Sequence, residues 1–529
     1  MAGATKVTAT KSTPAASAGA GSSTRRRFTD GALGAGDRFG VVDIGSNSVR
    51  LVVFDTRMAT PAVFFNEKVL CGLGADLEQT GKLSPVGRAR AGAALRRFSA
   101  LAERMRLSAL AAVGTAALRE AADGAAFVAE VARETGLEIR IADGPEEARL
   151  AAQGVLLGDP KAEGVVADMG GASLELVELA DGRVSAGGVT SPLGPLRVMN
   201  WGDLSPNKRD AAIDEALAAA MGDRFRKPER LYLLGGSWRA AVSCYMAREN
   251  YPLPVLHGFA LPHNAAVEMA EWVAQMTPED VSSLAGVSRR RSEVTPLAAG
   301  VLARLLVQVK PETVALSAFG LREGVLWEHL PEALKGRDPL LDACAAMERD
   351  GARMPGFGVE LWRWLEPALT TLVGGEARLA QAACLLADVN WRAHPDYRSR
   401  ASFEVVTRNN LGLSAHADRL FIGVALLNRY KAGRRAAKGE LAVSLLPLDR
   451  LRRAEAVGRG IRLGAMLAGA APGLLPQSPI RRVKAGKTGP AAVVLQLSGE
   501  MAALRGEEVE KRLEAFAAAL GVDWRVDLV

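Results

Sequence analysis

The sequence is poor in the residues that cross-link small domains or hold transition metals. Its four cysteines lie far apart with no Cys-x-x-Cys pair, and only five histidines occur among 529 residues. This excludes a disulfide scaffold and a Cys-x-x-Cys zinc site, and it fits a reducing cytoplasm. No stretch reaches the length of about 20 uncharged apolar residues that a membrane span needs. We therefore expect a cytoplasmic protein with no membrane partner.

The bulk composition is that of a globular protein. Hydrophobic residues make up 49% of the chain and charged residues 24%. Because 529 residues is more than one hydrophobic core usually serves, we expect several domains. Residues 1–37 are the exception, since Ala, Ser, Thr and Gly dominate them and they lack the apolar region of a secretory signal. We predict that this N-terminal tail is disordered.

A strand, a polar glycine turn and a second strand occur twice in the sequence. Four identities at one offset of 125 residues relate the segment RFGVVDIGSNSVRLVVFD to VVADMGGASLELVEL. The shared residues are Asp43, Gly45, Ser48 and Leu51 in the first copy and Asp168, Gly170, Ser173 and Leu176 in the second. This pattern indicates an internal duplication. We predict two similar α/β domains side by side, with a cleft between the two facing turns.

Each turn has the chemistry of a phosphate site. Glycine lets the backbone approach an anion closely, amide N–H groups point at it, and hydroxyls add donors. The aspartates that end the two strands, Asp43 and Asp168, offer the oxygen ligands that Mg²⁺ prefers. The predicted phosphate-binding residues are Gly45, Ser46, Asn47 and Ser48 in the first turn and Gly170, Gly171, Ala172 and Ser173 in the second. Two such turns at one spacing predict a clamp for one phosphoryl group.

These motifs and their order resemble the exopolyphosphatase and guanosine pentaphosphate phosphohydrolase (Ppx/GppA) family, within the actin-like superfamily of sugar kinases and heat-shock ATPases. The segments that carry the resemblance are VDIGSNSVRLVVFD, VGTAALREA, DGPEEARL, ADMGGASLEL, LLGGSWRA and FGLREGVLW. The resemblance implies two actin-like (ribonuclease H-like) α/β domains with a central cleft, at residues 38–158 and 159–332. It also implies a phosphoanhydride hydrolase that uses Mg²⁺ to release the terminal phosphate of inorganic polyphosphate or pppGpp.

The resemblance also assigns roles to individual charged residues. Glu147 stands at the position of the catalytic base, and Glu175 at the acidic residue that ends the second loop. Asp168 stands at the magnesium-linked aspartate, with Asp43 as a second ligand through water. Arg119 stands at the arginine that contacts phosphate and stabilises charge in the transition state.

The residue patterns by themselves leave simpler roles open. Glu147 lies near the start of a helix, where an acidic side chain caps N–H groups and suits the helix dipole. Glu175 alternates with leucines and would suit the solvent face of a strand. Arg119 would be able to pair with Glu120 or Asp123 of its own segment.

The second loop departs from the family pattern at two positions. Ala172 stands where the family has a third glycine, and Leu174 where it has threonine. Alanine has less φ freedom than glycine, and leucine lacks the threonine hydroxyl. The Gly235-Gly236-Ser237 turn corresponds to one that faces adenosine in kinases of the superfamily, and here we expect it to line the cleft.

From about residue 338 to residue 470 the sequence shows only helical periodicity and resembles the HD-type domain of long family members. An active HD hydrolase needs a His-Asp pair and further histidines to hold metal. The matching positions here are Ala387, Asp388, Arg398 and Arg400. We predict an all-α, degenerate HD-like domain at 338–472 without metal chemistry, followed by a small α/β domain at 473–529.

The C-terminal region is strongly basic. Residues 401–487 contain 16 Lys and Arg against five Asp and Glu. Beside a phosphate-cleaving head, this excess favours a groove for polyphosphate, formed by Arg481, Arg482, Lys484 and Lys487. The simpler alternative is a solvated basic surface. Few aromatic residues interleave with the charges, so we expect no specific nucleic-acid partner.

The function that the sequence favours is that of an exopolyphosphatase, with Mg²⁺-dependent release of terminal phosphate from long inorganic polyphosphate. Hydrolysis of pppGpp on the same machinery is the nearest alternative. An ATP-dependent kinase of the same superfamily and a non-catalytic module that senses polyphosphate or nucleotide stay open. The resemblance implies a homodimer.

Overall fold

The computed structural model describes residues 37–202, 204–413, 415–430, 441–485 and 490–529. The tail predicted to be disordered, residues 1–37, lies outside the described residues except for its last one. Lys487 of the predicted groove also lies outside them.

The N-terminal part is built on a five-stranded sheet with the order β3-β2-β1-β4-β5. Strand β1 is antiparallel to β2 and parallel to β4, and the apolar runs of β1 and β2 are almost wholly buried. The strands are β1 Arg38–Ile44, β2 Ser48–Asp55, β3 Ala62–Leu70, β4 Ala109–Gly114 and β5 Ile139–Ile141. The helices are α1 Leu77–Thr80, α2 Pro85–Arg104, α3 Ala116–Glu120, α4 Gly124–Thr135 and α5 Gly144–Gly158.

The next part contains a seven-stranded sheet with the order β11-β12-β10-β6-β7-β8, and β9 also pairs with β7. The strands are β6 Gly164–Met169, β7 Leu174–Ala180, β8 Arg183–Val184, β9 Val189–Ser191, β10 Arg230–Leu234, β11 Ala260–Pro262 and β12 Thr313–Leu316. The helices are α6 Pro195–Asn200, α7 Pro206–Met221, α8 Gly236–Arg248, α9 His263–Ala274, α10 Pro278–Ala285, α11 Arg289–Val309 and α12 Leu321–His329.

The two sheets repeat one topology. Strand β6 is antiparallel to β7 and parallel to β10, as β1 is antiparallel to β2 and parallel to β4. The order β7-β6-β10-β12 in the second sheet therefore corresponds to β2-β1-β4-β5 in the first. This correspondence agrees with the duplication that the 125-residue offset indicates, and the predicted mixed α/β fold is confirmed.

Helices α5 and α12 join the two sheets. Helix α5 follows the first sheet and packs on β6 and β7, whereas α12 follows the second sheet and packs on β1. Their backbones meet where they cross. A Cβ on Gly154 would lie 2.1 Å from the Gly320 carbonyl oxygen, and one on Gly324 would lie 1.8 Å from that of Leu150. Only glycine permits so close an approach, so these residues set the spacing of the two sheets.

The C-terminal part is helical and ends in a small sheet of order β13-β14-β15. Its helices are α13 Glu332–Lys335, α14 Pro339–Gly351, α15 Phe357–Val373, α16 Ala377–Leu385, α17 Pro395–Arg408, α18 His416–Tyr430, α19 Leu448–Leu467 and α20 Glu507–Leu520. Its strands are β13 Ile480–Val483, β14 Ala492–Leu497 and β15 Asp523–Leu528. One continuous core joins side chains from α15, α18 and α19 to those of β14 and α20. The predicted boundary at residue 472 lies within this shared core.

Helix α11 is long and apolar enough by composition alone to cross a bilayer, and it is the one such helix in the described part of the chain. However, 61% of its most apolar window is buried inside the protein. Buried residues such as Leu302, Leu305 and Leu306 pack in the core of the second sheet. The apolar character of α11 therefore serves this core.

The crossing of α5 and α12 makes a test of stability. We predict that Gly324→Ala lowers the free energy of unfolding by at least about 1–3 kcal/mol, because the new Cβ meets a helix backbone that has to move. The control is Gly300→Ala within α11, where an added Cβ meets nothing within 4 Å. Because alanine restricts the unfolded chain, this control is expected to add about 0.5–1 kcal/mol. Urea unfolding of both variants measures the difference. If both substitutions changed the free energy of unfolding in the same direction, the close backbone contact at Gly324 would not limit stability.

Candidate active site

The two polar turns have the same local structure. The Gly45 amide donates to the Ser48 carbonyl at 3.0 Å, and the Gly170 amide donates to the Ser173 carbonyl at 2.9 Å. Each turn follows a strand whose penultimate residue is aspartate, Asp43 in β1 and Asp168 in β6. The duplicated sequence therefore forms a duplicated turn, at the corresponding edges of the two sheets.

The turns face each other across one cleft. A Cβ added to Gly171 would lie 3.9 Å from the Cβ of Ser46 in the opposite turn. Both turns line a cavity of about 290 Å³. All eight predicted phosphate-binding residues line it: Gly45, Ser46, Asn47, Ser48, Gly170, Gly171, Ala172 and Ser173. The Gly235-Gly236-Ser237 turn lines the same cavity.

The tips of the turns offer free amide donors. The carbonyls of Ser46 and Asn47 accept hydrogen bonds from the segment at 71–74, and those of Gly171 and Ala172 from the segment at 194–196. The amides of these same four residues donate to no acceptor within the described part of the chain. Backbone N–H groups held in this way bind anions, and phosphate above all.

The substitutions in the second loop are accommodated without strain. Ala172 does not have a positive φ, so its backbone needs no glycine. A Cβ on Gly194 would lie 2.2–2.4 Å from Ala172 backbone atoms, which shows that the neighbouring segment holds this residue closely. Leu174 is fully buried in the core of the second sheet, and the loop keeps its turn hydrogen bond.

Four carboxylates line the cavity: Asp43, Glu147, Asp168 and Glu175. Across the β6–β7 pair Asp168 stands opposite Glu175, and across the β1–β2 pair Asp43 stands opposite Arg50. The offset of 125 residues also relates Arg50 to Glu175. The two copies therefore diverged at this position, with a cation on one side of the cleft and a carboxylate on the other.

Glu147 lies in the first turn of α5 but does not cap the helix. The side chain of Asp143 does so, accepting from the Glu146 amide at 2.8 Å. The Glu147 carboxylate is buried and accepts from Arg119 Nη1 at 2.5 Å. Burial raises the pKa of Glu147 to about 7, against the lowering effect of Arg119. This is the pKa range of a general base that works near neutral pH.

The other carboxylates are also buried and crowded. Burial raises the pKa of Glu175 well above its ordinary value, and the Glu147 carboxylate raises it further. Its Oε1 atom is buried without a hydrogen-bond partner among the described residues. Burial raises the pKa of Asp168 to about 6, against the lowering effect of Arg239. Burial also raises the pKa of Asp43, against the lowering effect of Arg322. The cleft therefore concentrates negative charge that a cation would relieve.

Arg119 does not line the cavity in this structure. Its Nη1 donates to Glu147 Oε1 and also to the Ala142 carbonyl at 2.7 Å. The alternative partners are engaged elsewhere, since Glu120 pairs with Arg197 and Asp123 with Arg88. Arg119 therefore holds the candidate base, and its predicted contact with phosphate stays a prediction.

Six cations that the sequence analysis did not assign also line the cavity: Arg50, Lys68, Arg239, Arg290, Arg291 and Arg322. Burial lowers the pKa of Lys68 to about 8, and Arg291 and Arg50 lower it further. Burial likewise lowers the pKa of Arg50 to about 10, with Arg322 adding to the effect. These groups repel one another in a site that an anion would neutralise. Arg50, Arg239 and Arg322 lie within the quoted motifs VDIGSNSVRLVVFD, LLGGSWRA and FGLREGVLW, whereas the other three cations lie in no motif.

One histidine forms a hydrogen bond with a residue that lines the cleft. His257 Nδ1 accepts the amide of Ala318, a cavity-lining residue, at 3.2 Å. Burial lowers the pKa of His257 to about 3, so the neutral ring keeps this acceptor near neutral pH. Nearby, the Tyr251 hydroxyl lies 2.9 Å from Nδ1 of His416 at the start of α18. Tyr251 and His257 both lie on the segment between α8 and β11, which therefore contacts both the helical region and the cleft.

The fold and the cavity define an α/β protein with two sheets of one topology and a polar cleft between two glycine turns. Residues 52–333 match the family model described as Ppx/GppA phosphatase family, and residues 352–528 match the one described as exopolyphosphatase, C-terminal. The first of these matches alone covers more than half of the chain. The chain therefore belongs to the Ppx/GppA phosphatase family, and it is a phosphoanhydride hydrolase, as predicted.

Individual relatives agree with this assignment. Exopolyphosphatase 1 of Mycobacterium leprae is 26% identical over 311 residues, which cover 56% of this chain and 91% of that protein. The guanosine-5'-triphosphate,3'-diphosphate pyrophosphatase of Aeromonas salmonicida is 26% identical over 348 residues, covering 62% and 68% of the two chains. A crystal structure of an exopolyphosphatase from Cytophaga hutchinsonii matches with a TM-score of 0.50 and 20% identity, over 57% of this chain and 99% of that one. This last match supports the fold.

The pairing of Arg119 with Glu147 predicts how activity depends on pH. We expect kcat/KM to rise as Glu147 loses its proton, with an inflection near pH 7, because the ionised form is the base. Arg119→Gln removes a contact that lowers this pKa, so its inflection should move to higher pH. The control is Arg149→Gln on the same helix, which pairs with Glu328 outside the cavity. An unchanged inflection in Arg119→Gln would show that Arg119 does not tune the base.

Proposed function

We propose that this protein is an exopolyphosphatase that hydrolyses the terminal phosphoanhydride bond of inorganic polyphosphate with Mg²⁺. The observation that carries the proposal is the set of six cations that line the same cavity as the two facing turns with free amides. The six cations outnumber the four carboxylates of the cavity, which suits a substrate with several phosphates in a row.

The lining of the cavity favours polyphosphate over a nucleotide. Phe319 is the only aromatic side chain among the described residues that line it, and it is buried. It lies edge-on to the ring of His257 at 5.0 Å. A guanine base would therefore find no exposed ring to stack on in the cavity. Hydrolysis of pppGpp is the second candidate, supported by the likeness to the Aeromonas pyrophosphatase.

In the proposed reaction water attacks the terminal phosphorus and the bond to the bridging oxygen breaks. Glu147 takes the proton from the attacking water, and Glu175 helps to orient it. The amides of the two turns hold the terminal phosphoryl group, and Arg119 stabilises the charge of the transition state. Protonation of Glu147 weakens its hold on Arg119, which frees the guanidinium for a phosphoryl oxygen. Positioning and electrostatics suffice, without a covalent intermediate.

The carboxylates suit a magnesium ion. Asp168 and Asp43 end corresponding strands, and burial destabilises the charge of both. No group of three or more His, Cys, Asp or Glu side chains among the described residues forms a complete ligand set. Mg²⁺ often binds through one or two carboxylates plus waters and substrate phosphates, so this donor set fits it. When bound, the ion would neutralise phosphate charge near Asp168.

The direct test is phosphate release with Mg²⁺ from four substrates in parallel: long polyphosphate, tripolyphosphate, pppGpp and ATP. We expect the highest kcat/KM with long polyphosphate. Preference for pppGpp would support the second candidate instead. Transfer of phosphate from ATP to a co-substrate would favour a kinase over both, and removal of Mg²⁺ with EDTA should abolish release.

Glu147→Gln tests the proposed base. The amide keeps the shape of the carboxylate but cannot accept the proton, so we predict that kcat falls roughly 10²- to 10⁴-fold while substrate binding changes little. The matched control is Glu146→Gln, one residue away. Glu146 pairs with Arg140 at 3.1 Å and does not line the cavity. If Glu147→Gln keeps more than about half of wild-type activity, Glu147 is not the base.

The basic C-terminal region is only partly free to bind a polyanion. Arg450 and Arg453 both pair with Glu376, at 2.5 and 2.6 Å, so part of the basic excess is neutralised within the fold. Arg481 on β13 and Lys484 just after it are exposed. Together with Arg482 and Lys487 they form the set that we propose to guide long chains.

Reversing these four residues to Glu tests this role. We predict a strong rise in KM for long polyphosphate and a flatter salt dependence, because each phosphate contact contributes a slope of about −0.7 to log affinity against log salt in single-stranded nucleic acids. Tripolyphosphate is the internal control, and its hydrolysis should change little. Equal losses on both substrates would indicate damage to the fold, and no loss would indicate a solvated surface.

We also propose that the protein works in the cytoplasm as a homodimer. The four cysteines are unpaired and buried, which supports a reducing compartment. Size-exclusion chromatography with light scattering tests the oligomeric state.

A further inference from the structure

The region that resembles an HD metal site contains a cluster of arginines around one tyrosine. The hydroxyl of Tyr430, the last residue of α18, donates to the Ala387 carbonyl at 2.8 Å. The guanidinium carbons of Arg429 and Arg398 lie 4.7 and 5.7 Å from the centre of the Tyr430 ring. Two cations therefore lie beside the Tyr430 ring. The hydroxyl of this ring is hydrogen-bonded to Ala387, which stands where an HD protein is expected to have a histidine.

The single acid of this cluster is already used. Asp388 is buried, and Arg353 binds it with two hydrogen bonds, from Nε at 2.8 Å and from Nη2 at 2.7 Å. A bidentate pair of this kind satisfies both carboxylate oxygens. Asp388 therefore neutralises one arginine and leaves the others without a counter-charge.

The remaining guanidiniums have no acidic partner within the described residues. Arg398 donates only to the backbone carbonyls of Trp391 and Ala393. The side chain of Arg429 makes no hydrogen bond within the described residues, and its Nε atom is buried. Burial lowers the pKa of Arg429, and Arg353 and Arg398 lower it further, against Tyr430 and Asp388. Arg462 on α19 adds to the positive field, and its buried Nη1 also has no partner.

A buried charge without a partner is costly, and it is normally paired. The cluster contains three guanidiniums and one carboxylate, so it lacks negative charge. The side chain of Arg353 is 41% exposed, which leaves the cluster open to solvent on one side. The planar guanidinium fork matches the oxygens of a phosphate group in particular.

We propose that Arg353, Asp388, Arg398, Arg429 and Tyr430 form a binding site for a phosphate group, which we call the Tyr430 site. It is distinct from the catalytic cleft and does not depend on the proposed substrate. The phosphate belongs either to an inorganic polyphosphate or to a nucleoside triphosphate, since both present the same oxygens. Arg398 thus stands at one of the positions where an HD protein is expected to have a metal ligand, and in the proposed site it helps to bind an anion.

Binding of tripolyphosphate and of GTP to the full-length protein tests the Tyr430 site. The Glu147→Gln background prevents turnover, and titration calorimetry counts the sites. We expect two sites for at least one ligand, and Arg429→Gln should weaken one of them about tenfold or more, as expected for lost charge-assisted hydrogen bonds. The control is Arg392→Gln, an exposed arginine stacked 4.4 Å from the Trp391 ring in the same region. This control should leave both sites intact.

The ligand whose binding is weakened by Arg429→Gln, either tripolyphosphate or GTP, identifies the source of the phosphate. Thermal unfolding in phosphate-free buffer separates binding from a purely structural role. Because Arg429→Gln removes a half-buried charge that has no acidic partner in an ion pair among the described residues, it should be as stable as the parent or more stable. A single site for both ligands, unchanged affinities in Arg429→Gln, or a marked loss of its stability without phosphate would each overturn the proposal.

Discussion

Helices α5 and α12 cross with their backbones in contact, and the geometry of the cleft depends on this crossing. Each helix is connected to one sheet and packs on the other, so the two domains share their central layer. Helix α5 carries Glu147, and α12 carries Arg322, which lies 3.9 Å from Asp43. Glycines at 154 and 324 allow the approach, and any side chain there would separate the helices. The distance between base, aspartates and turns therefore follows from two residues that take no part in the chemistry.

The cleft holds groups of both charges whose ionised forms are destabilised by burial. Burial destabilises the charges of four carboxylates and also those of Lys68 and Arg50. Cations and carboxylates lie side by side, as Arg322 does 3.9 Å from Asp43, yet burial still disfavours the charged forms in both sets. Under the proposed function, a divalent cation would offset the carboxylates and a phosphate chain would offset the cations. Natural enzymes commonly accept lower stability at such sites in exchange for activity.

The duplication explains both the symmetry of the site and its one important asymmetry. The two turns keep the same hydrogen bond and the same aspartate, which suits a symmetric hold on a phosphoryl group. The position after each turn has diverged, with Arg50 in the first copy and Glu175 in the second. One copy thus contributes a cation to the cavity, and the other contributes a carboxylate beside the candidate base.

The sequence by itself determined the local chemistry: the two turns, the strand-end aspartates, the family and the α/β class. Their signals are short-range, because glycine turns and apolar runs act within a few residues of one another. Only the tertiary structure decided what each charged residue faces. It gave the helix cap to Asp143 instead of Glu147 and paired Arg119 with the base. It also brought cations from β2, β3, α8, α11 and α12 into one cavity. Lys68 and Arg290 are far apart in the chain and belong to no motif, and a charged side chain alone does not indicate which distant surface it will meet. That information depends on the packing of whole elements, above all on the crossing of α5 and α12.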